Sequence, residues 1–111
     1  MTIVLIDFDR ITETSKLGLL SGRDNGVAAR KLFHVANGDI TPDTRVKIKD
    51  NDSVVVSNSY FLGLLEDIFK IHKSKEDLLE HIDYTELSKT NQKELLRGVN
   101  RGFSPIINAM G

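Results

Sequence analysis

The chain has 111 residues, 40% hydrophobic and 28% charged, and its 15 Lys+Arg against 16 Asp+Glu leave a net charge of −1. That predicts one compact domain over 1–111 with a core of its own, no global pull toward nucleic acid or anionic membrane, and no membrane span, since no apolar run nears the roughly 20 residues one needs. There is no cysteine, which excludes disulfides and thiolate chemistry and suits a reducing cytoplasmic setting.

Met1 to Asp7 carries no basic leader and reads as strand, not as a signal peptide. Thr2 to Phe8 is the first predicted strand, and its unbroken apolar run predicts partial burial on both faces. Asp9 to Gly22 shows no clear period, although Ile11, Leu17, Leu19 and Leu20 are apolar. Ser21-Gly22-Arg23-Asp24-Asn25-Gly26 is turn-like, with Ser21 or Asp24 as a cap for the helix after it. That helix is predicted over Val27 to Ala36, with Ala28, Leu32, Val35 and Ala36 on its apolar stripe and Phe33 at the margin. Asn37-Gly38 supplies its stop.

Asp39 to Thr44, with Pro42, is a loop. Arg45 to Lys49 alternates, with Val46 and Ile48 on one face, and predicts a half-buried strand. Asp50-Asn51-Asp52 turns into a short strand, Val54 to Val56. The second helix is expected near Ser59, with Ser59 as its N-cap and Phe61, Leu64, Leu65, Ile68 and Phe69 as its stripe. Ser74 to Asp77 has capping-box spacing and opens a short helix to about His81. Ile82 to Leu87 alternates as a strand. Asn91 to Glu94 has capping-box spacing too, and the helix it opens, carrying Leu95, Leu96 and Val99, ends at Gly102. Phe103 to Gly111 is a tail docked through Phe103 or Ile106 and Ile107. The order β-α-β-β-α-α-β-α predicts an α/β fold with some parallel pairing.

Chemistry is sparse. His34, His72 and His81 stand at no i, i+3 or i, i+4 spacing, so packing or surface histidines are expected, with no metal site and no cofactor. Ser57 and Ser59 follow a strand, as the serine of a nucleophile elbow does. The elbow needs small flanking residues, and Asn58, Tyr60 and Phe61 are bulky. The glycine-bearing turn lacks the phosphate-loop pattern, although Gly22, Arg23 and Asn25 at a helix start admit an anion. Lys93, Arg97 and Arg101 give the last helix a basic edge, read as a solvated face because no aromatic residue is interleaved. Ser57-Asn58-Ser59 remains: a cap for the second helix, or hydroxyls open to phosphorylation or a partner.

Three stretches resemble a STAS-like domain, a relative of the sulfate-transporter and anti-sigma-factor-antagonist domains. Leu20 to Leu32 (LSGRDNGVAARKL) is similar to the family's "S/T-R-x-x-A-R-x-L" opening of its first helix. Val46 to Phe61 (VKIKDNDSVVVSNSYF) is similar to its strand, short turn, strand and "S-F" helix start. Asn91 to Arg101 is similar to its closing helix. The resemblance implies a mixed β-sheet with helices packed on it, and a regulatory interaction module that is not an enzyme.

It also implies a protein partner, a histidine-kinase-type ATPase acting as a serine kinase, with no nucleic acid and no membrane involved; a homodimer is admitted. In the antagonists a serine at the start of the helix after the third strand is phosphorylated. The matching positions are Asn58 and Ser59, with Ser57 where the family has Asp, so Ser59 is the first candidate and Ser57 the second. Ser57-Asn58-Ser59-Tyr60 replaces the antagonists' Asp-Ser-Ser-Gly, and Gly63 stands near the place of an acidic residue. The implied contact face is Asp50, Asn51, Asp52 and Ser53 with Ser57, Asn58 and Ser59. Two other readings stay open: a small-molecule, nucleotide or phosphate binder (or enzyme) using the Gly22–Gly26 turn, and a phage- or defence-associated regulator on the same fold.

Overall fold

The computed structural model describes residues 3–8, 19–50 and 54–103. In chain order the elements are β1 (Ile3–Asp7), β2 (Leu19–Leu20), α1 (Arg23–Leu32), β3 (Arg45–Lys49), β4 (Val55–Val56), α2 (Asn58–Phe69), α3 (Lys75–Glu80), β5 (Ile82–Glu86) and α4 (Lys89–Gly102). The fold is α/β. One sheet has the order β1-β3-β5 and a second pairs β2 with β4. Every strand pair among the described residues is parallel, where a mixed sheet was expected. The connections explain this. Parallel neighbours need a crossover, and α1 lies between β1 and β3 while α2 and α3 lie between β3 and β5.

The alternation in β3 acts as anticipated: Val46 and Ile48 are buried, while Lys47 reaches Glu86 at 2.5 Å and Lys49 reaches Asp7 at 3.9 Å. These ion pairs mark the open face of the sheet. The register places Ile3 and Leu5 of β1 beside Arg45 and Lys47, so both are exposed, at 68% and 45%. Burial of β1 is therefore one-sided, through Ile6 and Phe8, and not on both faces. β2 was not anticipated, because two residues display no period. Leu20 is buried and Leu19 exposed, and they pair with Val56 and Val55. Ile11 and Leu17 fall outside the described residues.

α1 departs furthest from its expected bounds. It begins at Arg23 behind Gly22, whose φ of 90° suits glycine, and no side chain caps it. Neither Ser21 nor Asp24 is the cap; Asn25 Nδ2 instead donates to the Ser21 carbonyl at 2.8 Å. The helix ends at Leu32 because His34 takes the left-handed conformation, φ 60°, before Asn37-Gly38 is reached. The buried face is accordingly Gly26 and Ala29, with Phe33 just beyond, while Ala28 and Leu32 face outward.

The α2 stripe is buried in full, and Tyr60, Leu62 and Gly63 are buried as well. The helix is covered on two sides, by α1 and by α4. Glycine makes the α1 approach possible: a Cβ on Gly26 would strike the Tyr60 carbonyl oxygen, and one on Gly63 would strike that of Arg23. Gly63 thus stands where backbone meets backbone. On the other side a Cβ on Gly98 would lie 2.9 Å from the Asn58 oxygen. Beneath the helices, the Phe8 ring meets Phe33, Tyr60 and Phe61 edge-on at 6.0, 6.2 and 6.0 Å. Phe103 docks on Phe69, with centroids 5.5 Å apart; Ile106 and Ile107 lie outside the described residues.

The α3 cap is as read, with Ser74 Oγ accepting the Asp77 N–H at 3.1 Å. α4 differs. Its cap is Ser88, whose Oγ accepts the Asn91 N–H, and the helix starts at Lys89. Asn91 is therefore no cap. It is a fully buried polar side chain on the stripe that continues through Leu95 and Val99.

Candidate functional site

The mouth of α2 gathers most of the sequence-predicted site. β4 ends at Val56, and Ser57 turns the chain into the helix with its Oγ accepting the Tyr60 N–H at 3.1 Å. Ser57 is the N-cap and not Ser59, so the first helical residue is Asn58. Ser59 falls in the first turn, where its Oγ accepts from Arg101 Nη1 at 3.1 Å. The same guanidinium donates to Asn58 Oδ1 at 2.7 Å. Asn58 in turn donates its backbone N–H and its Nδ2 to Glu94 Oε1, both at 3.2 Å. Arg97 donates to the other oxygen of Glu94 at 2.8 Å. The hydrogen bond from Asn58, helped by Arg97, holds the Glu94 carboxyl below the usual carboxylate range.

Behind this mouth stands Asn91. Its Oδ1 accepts the Val56 N–H at 2.8 Å, and its Nδ2 donates to the Val54 carbonyl at 2.9 Å and to Asp50. Asp50 also accepts the Ser88 N–H at 3.1 Å. Of the expected contact face, Asp50 is thus engaged in bracing β4 against α4, and Asn51, Asp52 and Ser53 lie outside the described residues. Ser57, Asn58 and Ser59 are half-buried and adjacent. Sequence reading missed Asn91, Glu94 and Arg101 as members of this node. One signal was available: Asn91, Leu95 and Val99 recur every four residues, and an Asn on an apolar stripe needs a buried partner.

The Gly22–Gly26 turn is built differently from the anion cradle considered for it. Gly26 is inside α1 at the α2 contact, and Arg23 is engaged with Glu66. Arg30 backs this pair, reaching Glu66 at 3.3 Å and Asp67 at 3.2 Å and donating to the Gly63 carbonyl at 2.6 Å. Beside the turn lies a groove of about 460 Å³ lined by Leu19, Leu20, Ala28, Ala29, Leu32 and Tyr60, with Ser21 and Asn25 at its polar edge. Burial pushes the Tyr60 hydroxyl up to about 12, so it stays protonated at neutral pH.

A third cluster joins two of the three histidines that the sequence leaves as packing or surface residues. His72 precedes α3 and His81 caps its C-terminal end, and their rings stack with centroids 4.6 Å apart at 37°. His72 Nδ1 lies 2.8 Å from Asp77 Oδ2, and His81 Nδ1 lies 2.8 Å from the Asp77 carbonyl oxygen. The bond from His72 is the main cause holding the Asp77 carboxyl below its ordinary value. No i, i+4 spacing announces the pair, because the two residues flank a short helix instead of sharing a face of one. Among the described residues no serine stands in hydrogen-bond reach of a histidine, and no helix is long and apolar enough to cross a membrane. Comparisons of the chain with family models, with curated proteins and with solved structures returned no match.

Proposed function

We propose that this chain is a non-catalytic regulatory module that binds a protein partner through the mouth of α2, with Ser59 as the residue whose modification switches binding. One observation carries the reading. Ser57 is committed to capping α2, whereas among the described residues the Ser59 hydroxyl is held by the exposed guanidinium of Arg101 alone. A phosphate on Ser59 would sit in the first turn of a 12-residue helix, where the backbone dipole favours negative charge. It would also claim Arg101 as a counter-ion and draw it off Asn58, altering the polar surface a partner meets. The resemblance to STAS-like domains supports the same partner class, a histidine-kinase-type ATPase acting as a serine kinase. The α/β architecture is compatible with that family, although its parallel strand pairs depart from the mixed sheet the family implies.

The test is recovery of the tagged chain from its native host, with intact-mass spectrometry of the bait and identification of what co-purifies. The expected result is a stoichiometric protein partner that the wild type retains and Ser59→Asp loses while staying folded. Equal retention by both chains would overturn the switch. Absence of any stoichiometric partner would overturn the module. The groove beside Tyr60 favours a different ligand from the nucleotide considered for the Gly22–Gly26 turn: its apolar lining and the engagement of Arg23 with Glu66 suit an uncharged molecule better than a phosphate.

A further inference from the structure

The cluster at α3 is independent of the α2 mouth and points to a different chemistry. Asp77 faces both histidines with oxygens that only accept: an ionised carboxylate for His72 and a backbone carbonyl for His81. Each Nδ1 must therefore carry the hydrogen, which leaves each neutral ring with its lone pair on Nε2. The His72 side chain is 2% exposed, and its Nε2 has no hydrogen-bond partner. An orphaned buried acceptor is costly in a folded protein and calls for a partner. Ring nitrogens of both histidines and a carboxylate oxygen of Asp77 lie within 4.8 Å of one another. Small side-chain rotations would bring the two imidazoles onto one cation, with bonds of about 2.0–2.1 Å.

We propose that His72, Asp77 and His81 form a site for a divalent transition metal of the zinc class. His72 and His81 ligate through Nε2. Asp77 backs His72 with its carboxylate and His81 with its carbonyl, the outer arrangement that fixes the tautomer of metal-bound histidines and makes the ligand nitrogen more basic. Imidazole nitrogens select this class of cation over magnesium or calcium, which prefer oxygen. Position gives the cation a structural role. The His81 carbonyl accepts the Val46 N–H at 2.8 Å, so a metal joining His72 to His81 would tie both ends of α3 to the start of β5 and the central strand.

The experiment uses the full chain, free of any histidine tag and stripped with chelator, titrated with Zn²⁺ by calorimetry and with Co²⁺ by visible absorption. Histidine ¹⁵N resonances are followed in parallel. One cation per chain is expected, with a Tm that rises with cation concentration and Nε2 resonances of two histidines that shift. His81→Ala should weaken binding at least tenfold, and Asp77→Asn should do the same as an outer partner. Both sites are half-exposed or at a helix end, and circular dichroism checks that each variant is folded. His34→Asn, at a left-handed backbone position that Asn tolerates, should leave binding unchanged. No saturable uptake by the wild type would overturn the proposal. Unchanged affinity in His81→Ala, or loss of binding in His34→Asn, would overturn it equally.

Discussion

Ser57 at the mouth of α2 and Ser74 at the mouth of α3 do the same local work, each accepting the N–H of the residue three positions on at 3.1 Å. Their surroundings differ. At α2 the polar groups close on one another: Asn91 serves Val54, Val56 and Asp50, and Glu94 serves Asn58. At α3 the bonds run out, and a buried imidazole nitrogen is left with no partner. A cap is thus a statement about a helix start and nothing more. Whether the start becomes a rigid bracket or leaves a buried nitrogen unpaired depends on side chains brought in from elsewhere in the chain. At α2 they arrive from α4, more than thirty residues away; at α3 they come from the helix's own two flanks.

The contrast predicts unequal costs for removing the buried polar side chain at each place. Asn91→Leu keeps the branching of the side chain but orphans the Val56 N–H and the Val54 carbonyl, and should cost about 3–5 kcal/mol in urea unfolding. Ser57→Ala and Ser74→Ala should each cost about 1 kcal/mol, since each deletes one N-cap acceptor and little else. His72→Leu, measured without added metal, gives up one hydrogen bond to Asp77 and also removes the orphaned Nε2. The two effects oppose, and the net change should stay within about 1 kcal/mol. A His72→Leu loss as large as that of Asn91→Leu would mean that the two mouths are equally closed.

The mouth of α2 also separates its two serines. Ser59→Ala gives up a bond from an exposed arginine and should change stability by less than about 0.5 kcal/mol, well below Ser57→Ala. Equal losses would mean that Ser59 shares the capping work and is not spare for modification.

Legibility followed the range of the forces involved. Strict period was readable: the Phe61–Phe69 stripe and the Val46/Ile48 alternation need only local sequence to declare a buried face. The Ser74 cap was readable for the same reason. The α1 boundaries were not, because its start is set by Gly22 at φ 90° and its end by a histidine in a conformation usually left to glycine. The shift of the cap from Ser59 to Ser57 was decided by where β4 stops, and that is fixed by pairing with Leu19 and Leu20. The capping-box spacing at Asn91 misled because Ser88 stood three residues earlier and Asn91 was needed inside. The histidine pair was invisible to helical spacing, since its geometry belongs to the two flanks of α3.

The smallest expected effect is the acid limb of stability, and it again sets one mouth against the other. Asp77 and Glu94 are both held below their ordinary values, the first mainly by His72 and the second mainly by Asn58. A carboxyl whose folded pKa is depressed contributes fully above its unfolded value, near 4. Its contribution fades as pH falls through the lower, folded value. The gap in urea midpoint between wild type and Asp77→Asn should therefore shrink as pH falls below about 4. Glu94→Gln should behave alike. Salt sets the two apart: Asp77 is half-exposed and faces two histidines, so where those imidazoles are charged 0.5 M NaCl should shrink its gap. Glu94 is bonded chiefly by the uncharged Asn58, whose hydrogen bonds are less sensitive to screening, so its gap should fall less. Equal salt sensitivity would mean that Arg97, and not Asn58, holds the Glu94 carboxylate.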